Sequence, residues 1–291
     1  MIIDKLYDAV KEKGNVCLGL DTDLDYIPLE FKNQYADDGE AILQFNKKII
    51  DATLDVVAVY KVQIAYYEAL GINGLKAYSA TLKYLKEKGA VTIADIKRGD
   101  IANTAKMYAK AHFEGDFEAD FITLSPYMGM DTVEPFMSYL KSGNKGVFML
   151  VRTSNGGSMD FEYLETAKGN KVYEEVGERF QNLGESVLGQ CGYSAIGAVM
   201  GCTHVDEVAK MREKLNKTFF LIPGYGAQGG TAKDVALYLK NGNGGVVNSS
   251  RGILLAYKNK EHEGKSFYEA ARLEAIKMRD EILKYSTAKE N

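Results

Sequence analysis

Residues 91–100 read Val-Thr-Ile-Ala-Asp-Ile-Lys-Arg-Gly-Asp, an apolar run that leads directly into charged side chains. The run is continuously apolar rather than alternating, which is typical of a parallel strand that is covered on both faces. Similar short runs, each bounded by turn residues, recur along the chain. They predict eight strands, at residues 16–20, 56–62, 91–94, 121–124, 147–151, 196–200, 219–222 and 245–247.

Segments with helical spacing of apolar residues lie between the predicted strands. Residues 42–50, 75–85 and 172–187 each carry an apolar stripe, and a last helix is predicted from Phe267 to about Tyr285. Strict alternation of strand and helix indicates the α/β class, and eight units favour one (β/α)8 TIM barrel that spans residues 1–291. An open, doubly wound parallel sheet is the alternative fold.

The composition excludes several classes of protein. Hydrophobic residues make up 46% of the chain, which is enough for a large core, and 36 Lys+Arg against 40 Asp+Glu give a net charge of −4. That balance does not suggest a nucleic-acid or membrane surface as a partner. The three cysteines are scattered, and the three histidines show no metal-ligand spacing, so no metal site is expected. We interpret the histidines as surface or helix residues. We expect a cytoplasmic protein.

The predicted strands end in polar residues, and in a barrel the carboxyl ends of the strands carry the chemistry. Asp95 and Lys97 lie two residues apart, so an extended backbone places both side chains on the same side. Lys61 ends the preceding strand, and Asp100 follows in the turn. Alternating charges can keep one another ionised in a partly dry cavity. The pattern predicts a site for a small, anionic, polar substrate, whereas a solvated salt bridge in a turn is the structural alternative.

A glycine-rich segment, Gly224-Tyr-Gly226-Ala-Gln-Gly229, follows the seventh predicted strand. Its GxGxxG spacing also occurs in dinucleotide-binding folds, but those need an acidic residue at the end of the next strand. Here that strand end reads Asn248-Ser-Ser-Arg251. The glycines therefore favour a site for a single phosphate, which backbone N–H groups and the guanidinium of Arg251 would bind. Barrels commonly bind phosphate with their seventh and eighth loops.

These motifs resemble those of the orotidine 5'-phosphate decarboxylase family. Asp95-x-Lys97-x-x-Asp100-Ile101-x-x-Thr104 is similar to the family signature, and the other matching segments follow in the family's order. The resemblance covers almost the full length and is closest to the longer bacterial branch, type 2. One departure is Asn155-Gly156, where that branch more often has Asn-Pro. Sugar-phosphate decarboxylases and synthases share the DxKxxD motif, but they carry an acidic metal ligand where this chain has Lys61.

The resemblance implies decarboxylation of orotidine 5'-monophosphate (OMP) to UMP without a cofactor or metal, in pyrimidine biosynthesis. It assigns Lys97 as the proton donor to C6 and places Asp95 against the substrate carboxylate, with Lys61 and Asp100 completing the charge array. It also implies a homodimer with shared active sites. The substrate-binding residues that it implies are Asp21 for the ribose, Ser154 for the pyrimidine, and Gln228 and Arg251 for the phosphate. It further implies that Asp100, Ile101 and Thr104 reach into the active site of the neighbouring subunit.

Two other functions stay open on the sequence alone. A metal-dependent sugar-phosphate decarboxylase or aldolase of the same superfamily is the alternative enzyme. A barrel that only binds a phosphorylated ligand is the alternative without catalysis. Such a binding protein would need Arg251 and the glycine segment, but it would have no reason to carry Lys61, Asp95, Lys97 and Asp100 together.

Overall fold

The computed structural model describes residues 1–202, 207–226 and 229–286, and in these residues eight parallel strands close into one barrel. Each strand pairs with its neighbours in chain order, and the first strand also pairs with the last, with Val16 opposite Val247. This closure confirms the predicted (β/α)8 fold and excludes the open sheet. The strands are β1 (Val16–Gly19), β2 (Val59–Gln63), β3 (Val91–Arg98), β4 (Phe121–Leu124), β5 (Gly146–Arg152), β6 (Ile196–Met200), β7 (Phe220–Ile222) and β8 (Gly245–Ser249).

Helices surround the barrel and alternate with its strands. No helix in the described part of the chain is long and apolar enough to cross a membrane. The helices are α1 (Ile2–Lys13), α2 (Leu29–Lys32), α3 (Asp38–Thr53), α4 (Ile64–Glu68), α5 (Gly71–Glu87), α6 (Ala102–Phe113), α7 (Glu134–Lys141), α8 (Ser158–Phe161), α9 (Val172–Gly184), α10 (Val208–Lys214), α11 (Ala232–Ala236), α12 (Arg251–Leu254) and α13 (Phe267–Ser286).

The core has two layers, because successive residues of each strand face opposite sides. Outward residues such as Leu18 and Tyr60 pack under the helices. Inward residues, among them Val59, Ile93 and Phe121, fill the barrel. Both faces of every strand are therefore apolar, which explains the continuous hydrophobic runs in the sequence.

The inward positions change character toward the carboxyl ends of the strands. Two residues after Val59 comes Lys61, two residues after Ile93 comes Asp95, and two residues after Phe121 comes Thr123. The period of the strand therefore places a polar side chain directly above each buried apolar one. This layer of polar residues forms the floor of the candidate site.

Helix α1 and the start of β2 differ from the sequence-based expectation. The buried face of α1, formed by Ile2, Ile3, Leu6 and Val10, packs on the interior residues at the amino-terminal end of the barrel and covers that end. Residues 56–58 precede β2, because the N–H groups of Val56 and Val57 donate to the Thr53 carbonyl in the turn that ends α3.

Candidate active site

Two adjoining cavities open at the carboxyl ends of the strands. The larger, of about 390 Å³, is lined by residues at the ends of β1, β2 and β3, among them Asp21 and Lys97, and by residues after β7 and β8, among them Arg251. The smaller, of about 220 Å³, lies beneath Ser154 and Leu150. Both volumes are suited to small ligands, and together they approach the size of a typical ligand site. The lining residues that the two cavities share are Lys61, Asp95, Lys97, Pro223 and Asn248.

The shared wall contains a linear array of alternating charges. Lys97 Nζ donates to Asp95 Oδ1 at 2.7 Å, and Lys61 Nζ donates to Asp95 Oδ2 at 3.0 Å. Lys61 Nζ also donates to Asp21 Oδ1 at 2.9 Å, so the order is Lys97, Asp95, Lys61, Asp21. The predicted proximity of Asp95, Lys97 and Lys61 is present in the structure. The side chains of Asp95 and Lys61 are buried, whereas that of Lys97 is 48% exposed toward the cavity.

The array keeps its two buried members ionised. Burial is the largest influence on Asp95 and raises its pKa, but the ammonium groups of Lys61 and Lys97 and the hydrogen bonds to the carboxylate hold that pKa below its ordinary value. Burial lowers the pKa of Lys61, but the carboxylates of Asp21 and Asp95 outweigh it and leave that pKa raised. A buried carboxylate therefore lies between two ammonium groups, one of them buried, at the wall that the two cavities share.

Asp21 connects this array to the eighth loop. Ser250 Oγ donates to Asp21 Oδ2 at 2.8 Å, and Ser250 precedes Arg251 at the start of α12. β1, which ends two residues before Asp21, leaves room for this contact only because residue 19 is glycine. A Cβ at Gly19 would lie 1.9 Å from Ser250 Oγ.

Arg251 and Ser154 occupy opposite parts of the site. The exposed Arg251 lines the larger cavity together with Gly224 and Tyr225, which is where the sequence places a phosphate site. Ser154 lines the smaller cavity. Gln228, the other predicted phosphate ligand, lies outside the described residues.

Asp100, Ile101 and Thr104 line neither cavity of this chain. Asp100 Oδ1 accepts the Ile101 N–H at 2.8 Å, and Ile101 and Thr104 are exposed at the start of α6. A single chain therefore brings together four charged residues of the predicted site, and the segment 100–104 is not among the residues that line its cavities.

Two polar residues of the site were not identified from the sequence. Gln63 Nε2 donates to Asp95 Oδ2 at 3.0 Å, and Thr123 Oγ1 donates to Asp95 Oδ1 at 2.8 Å. Each lies two residues after an inward-facing residue of its strand, so the period of the strand was the signal that could have identified them.

One cluster of potential metal ligands exists in the described residues, and it lies outside both cavities. It consists of Glu261, His262 and Glu274, on a turn and on α13. Lys277 Nζ is 3.0 Å from Glu261 Oε1 and already supplies a cation there. His262 is 6% exposed, so of the two positions predicted for the histidines, surface or helix, it occupies the second. It lies in a short 3-10 turn packed against α13.

Comparisons with known proteins agree with this geometry. The model of the Orotidine 5'-phosphate decarboxylase / HUMPS family matches residues 14–267. An orotidine 5'-phosphate decarboxylase of Clostridium tetani is 63% identical over 289 residues, which cover 99% of this chain and 100% of the relative. The enzyme of the same name from Clostridium perfringens is 65% identical over 282 residues, which cover 97% of this chain and 98% of the relative.

Solved structures agree as well. The OMP decarboxylase of Leishmania donovani superposes with a TM-score of 0.79 at 29% identity, over 99% of both chains. The UMP synthase of the same organism gives a TM-score of 0.80 at 31% identity, over 99% of this chain and 57% of that one. With the charge array at the carboxyl end of a closed barrel and relatives that match along its whole length, the chain belongs to the orotidine 5'-phosphate decarboxylase family of carboxy-lyases.

Proposed function

We propose that this chain converts OMP into UMP and CO2 without a cofactor, as one catalytic domain that spans residues 1–291. The observation that carries the proposal is the position of Lys97, Asp95 and Lys61 where the two cavities meet. Decarboxylation needs a proton donor and a fixed charge distribution at one carbon, and this array supplies both. The cytoplasmic location expected from the sequence stays a prediction.

The two cavities suit the two parts of the nucleotide. A ribosyl phosphate in the larger cavity would reach Arg251 and the backbone at Gly224, while its ribose would lie near Asp21 and Lys61. The pyrimidine would then enter the smaller cavity beside Ser154. In that orientation C6 of the ring and its carboxylate lie at the junction, next to Lys97 and Asp95.

The reaction proceeds by cleavage of the bond between C6 and the carboxylate carbon. The electron pair stays on C6, CO2 leaves, and Lys97 Nζ transfers a proton to C6. The 2.7 Å contact with Asp95 holds that ammonium group in place before the substrate arrives. Solvent then restores the proton on Lys97, since its side chain is half exposed.

Magnitudes indicate which interaction matters most. Two carboxylates about 4 Å apart repel by roughly 4 kcal/mol at an effective dielectric near 20. Enzymes lower barriers by about 8–23 kcal/mol, so repulsion between Asp95 and the substrate carboxylate is too small to account for catalysis. We assign the larger share to stabilisation of the developing carbanion by the Lys97 ammonium group. Binding of the remote phosphate would contribute to closing and desolvating the site.

The position of Lys61 argues against the metal-dependent alternative. Its Nζ lies 2.9 Å from Asp21 Oδ1 and 3.0 Å from Asp95 Oδ2, between two carboxylates that could otherwise hold a divalent cation. Together with Lys97, which pairs with Asp95 from the other side, Lys61 already balances the charges of these two carboxylates. A metal ion at this point would have to displace a buried, hydrogen-bonded lysine.

The direct test follows the ultraviolet absorbance of OMP incubated with the protein in excess chelator. We expect the orotate band to disappear at the same rate with and without added Mg²⁺. A requirement for the metal would favour the sugar-phosphate lyase class. If the protein binds OMP but the orotate band stays unchanged, the result would favour the alternative of a barrel that only binds a phosphorylated ligand.

Arg251→Ala should weaken the use of OMP through loss of the phosphate contact. We expect kcat/KM to fall by about 2–5 kcal/mol in transition-state free energy, because the phosphate buries and pairs the guanidinium group. Orotidine, which lacks the phosphate, should be used almost equally by both proteins. Lys260→Ala removes an exposed cation on a nearby turn that lines neither cavity and serves as the control. Equal losses for both substrates would make Arg251 a structural residue.

We also propose that the protein is a homodimer in which Asp100, Ile101 and Thr104 complete the partner's site, as the family resemblance implies. Exposed apolar side chains occur in this segment, on α6 and after β4: Ile101 is 48% exposed, Met107 is 61% exposed and Tyr127 is 86% exposed. Large apolar side chains grouped on a surface are typical of a protein interface. Ala102, at the first turn of α6, has a φ of 46°, a strained conformation of the kind that functional segments retain.

A further inference from the structure

Thr123 lies on β4 at the centre of a break in the regular pairing between β3 and β4. Ala94 pairs with Ile122 and Arg98 pairs with Leu124, so three residues of β3 lie opposite the single residue Thr123. Bulges of this kind redirect side chains and occur frequently next to active sites. The three bulged residues are 95, 96 and 97, and they include both ends of the Asp95–Lys97 ion pair.

The Thr123 hydroxyl makes three hydrogen bonds with these bulged residues. It accepts the N–H of Ile96 at 3.0 Å and the N–H of Lys97 at 2.9 Å, and it donates to Asp95 Oδ1 at 2.8 Å. A hydroxyl has one proton and two lone pairs, so these bonds use its full capacity. The ionised carboxylate can only accept, which fixes the direction of the bond to Asp95. Thr123 is 1% exposed, so water does not compete for these bonds.

The backbone at Lys97 needs such support. Its φ is 45°, in the left-handed region that a residue with a side chain seldom adopts. Strained conformations of this type persist only where the surrounding structure holds them in several ways. The bulge removes the strand partners of the Ile96 and Lys97 N–H groups, and the Thr123 hydroxyl replaces them. The same hydroxyl therefore holds the backbone of the lysine and the carboxylate of the aspartate.

We propose that Thr123 is a positioning residue that fixes Asp95 and Lys97 relative to each other. The proposal rests on the proposed role of Lys97 as proton donor. Thr123 lines the smaller cavity, but its hydroxyl is fully used by Asp95, Ile96 and Lys97, so it acts through these residues. Its loss should misplace the reacting ammonium group while the contacts to ribose and phosphate remain. The expected signature is a fall in kcat with little change in the affinity for UMP.

Thr123→Val tests the proposal, because valine keeps the shape of threonine and removes the hydroxyl. A displacement of about 1 Å at a reacting group can cost about 100-fold in rate, so we expect kcat to fall by about 10- to 100-fold. Thr123→Ser, which restores the hydroxyl, should recover most of the rate. The dissociation constant for UMP, measured by calorimetry, should stay within about threefold of the unchanged protein, since the three hydrogen bonds that are lost all lie within the protein and none involves the proposed phosphate contacts.

Thr92→Val is the matched control. Thr92 is a buried threonine on β3 whose hydroxyl donates to Asp120 Oδ2 at 3.2 Å, at the amino-terminal end of the barrel. The Thr92→Val variant loses a contact of the same kind, from a hydroxyl to a carboxylate, and leaves the candidate site unchanged. Equal losses of kcat in Thr92→Val and Thr123→Val would overturn the positioning role. An unchanged kcat in Thr123→Val would also overturn it, as would a Thr123→Ser protein as slow as Thr123→Val.

Crystal structures of the variants separate this proposal from the proposed function. In Thr123→Val, or in Thr123→Ala if the valine variant does not fold, we expect the contact between Lys97 Nζ and Asp95 to break or the positive φ at Lys97 to be lost. An unchanged pair and an unchanged φ would refute the positioning role. A wild-type protein inactive on OMP would instead contradict the proposed function, and these structures would still decide what Thr123 does.

Discussion

Lys97→Ala is expected to eliminate decarboxylation while nucleotide binding survives. The ammonium group is the proposed proton donor and the nearest positive charge to the developing carbanion. General acid catalysis and electrostatic stabilisation together account for a loss of about 10⁴-fold or more in kcat. Affinity for UMP should persist, because the contacts to phosphate and ribose come from Arg251 and Asp21, in other parts of the larger cavity.

The fold should also survive this change. Asp95 keeps its hydrogen bonds from Lys61, Gln63 and Thr123 when Lys97 is truncated, so no unpaired buried charge remains. Turnover is measured by the loss of orotate absorbance, and binding by calorimetry with UMP. Lys83→Ala, which removes an exposed lysine on α5, is the control. A Lys97→Ala protein that decarboxylates OMP within about tenfold of wild type would remove Lys97 from the chemistry, since an acid catalyst contributes more than that.

The charge array was predictable because charged residues at strand ends are conspicuous and strands have a period of two. That period placed Asp95 and Lys97 side by side and brought Lys61 from the neighbouring strand. It assumed a regular strand, whereas Lys97 has a φ of 45° inside a bulge and its side chain still meets Asp95. No sequence rule predicts a positive φ at a lysine, because that conformation depends on contacts from another strand.

The uncharged residues of the site were harder to identify. Gln63, Thr123 and Ser250 each donate a hydrogen bond to a carboxylate of the array. Residues of these types occur throughout the chain, and a single sequence does not single out those that face the interior. Helix α1 was not predicted for a different reason: the pattern of eight strands, each followed by a helix, begins with the strand at residues 16–20. The alternation of strands and helices gave no sign of a helix covering the amino-terminal end.

The proposed shared site predicts recovery of activity when two inactive variants are mixed. Asp100 lies outside the cavity of its own chain, so a site would need Lys97 from one subunit and Asp100 from the other. The Lys97→Ala and Asp100→Ala homodimers should each be nearly inactive. A hybrid dimer has one site that lacks both residues and one site in which both are native, because exchange across a two-fold axis is reciprocal.

The expected recovery follows from random pairing. About half of the re-equilibrated dimers are hybrids and half of their sites are intact, so activity should return to about a quarter of wild type. The decarboxylation rate is measured after mixing, and differently tagged chains establish that subunits have exchanged. The control is an Arg279→Ala chain, changed at a half-buried position of α13 that lines neither cavity, mixed with Lys97→Ala. The activity of this control mixture should equal the sum of the activities of the two separate proteins, since those changes do not complement each other.

Confirmed exchange without recovery in the first mixture would mean that each subunit builds its charge array alone. The exposed segment 100–104 would then need another explanation.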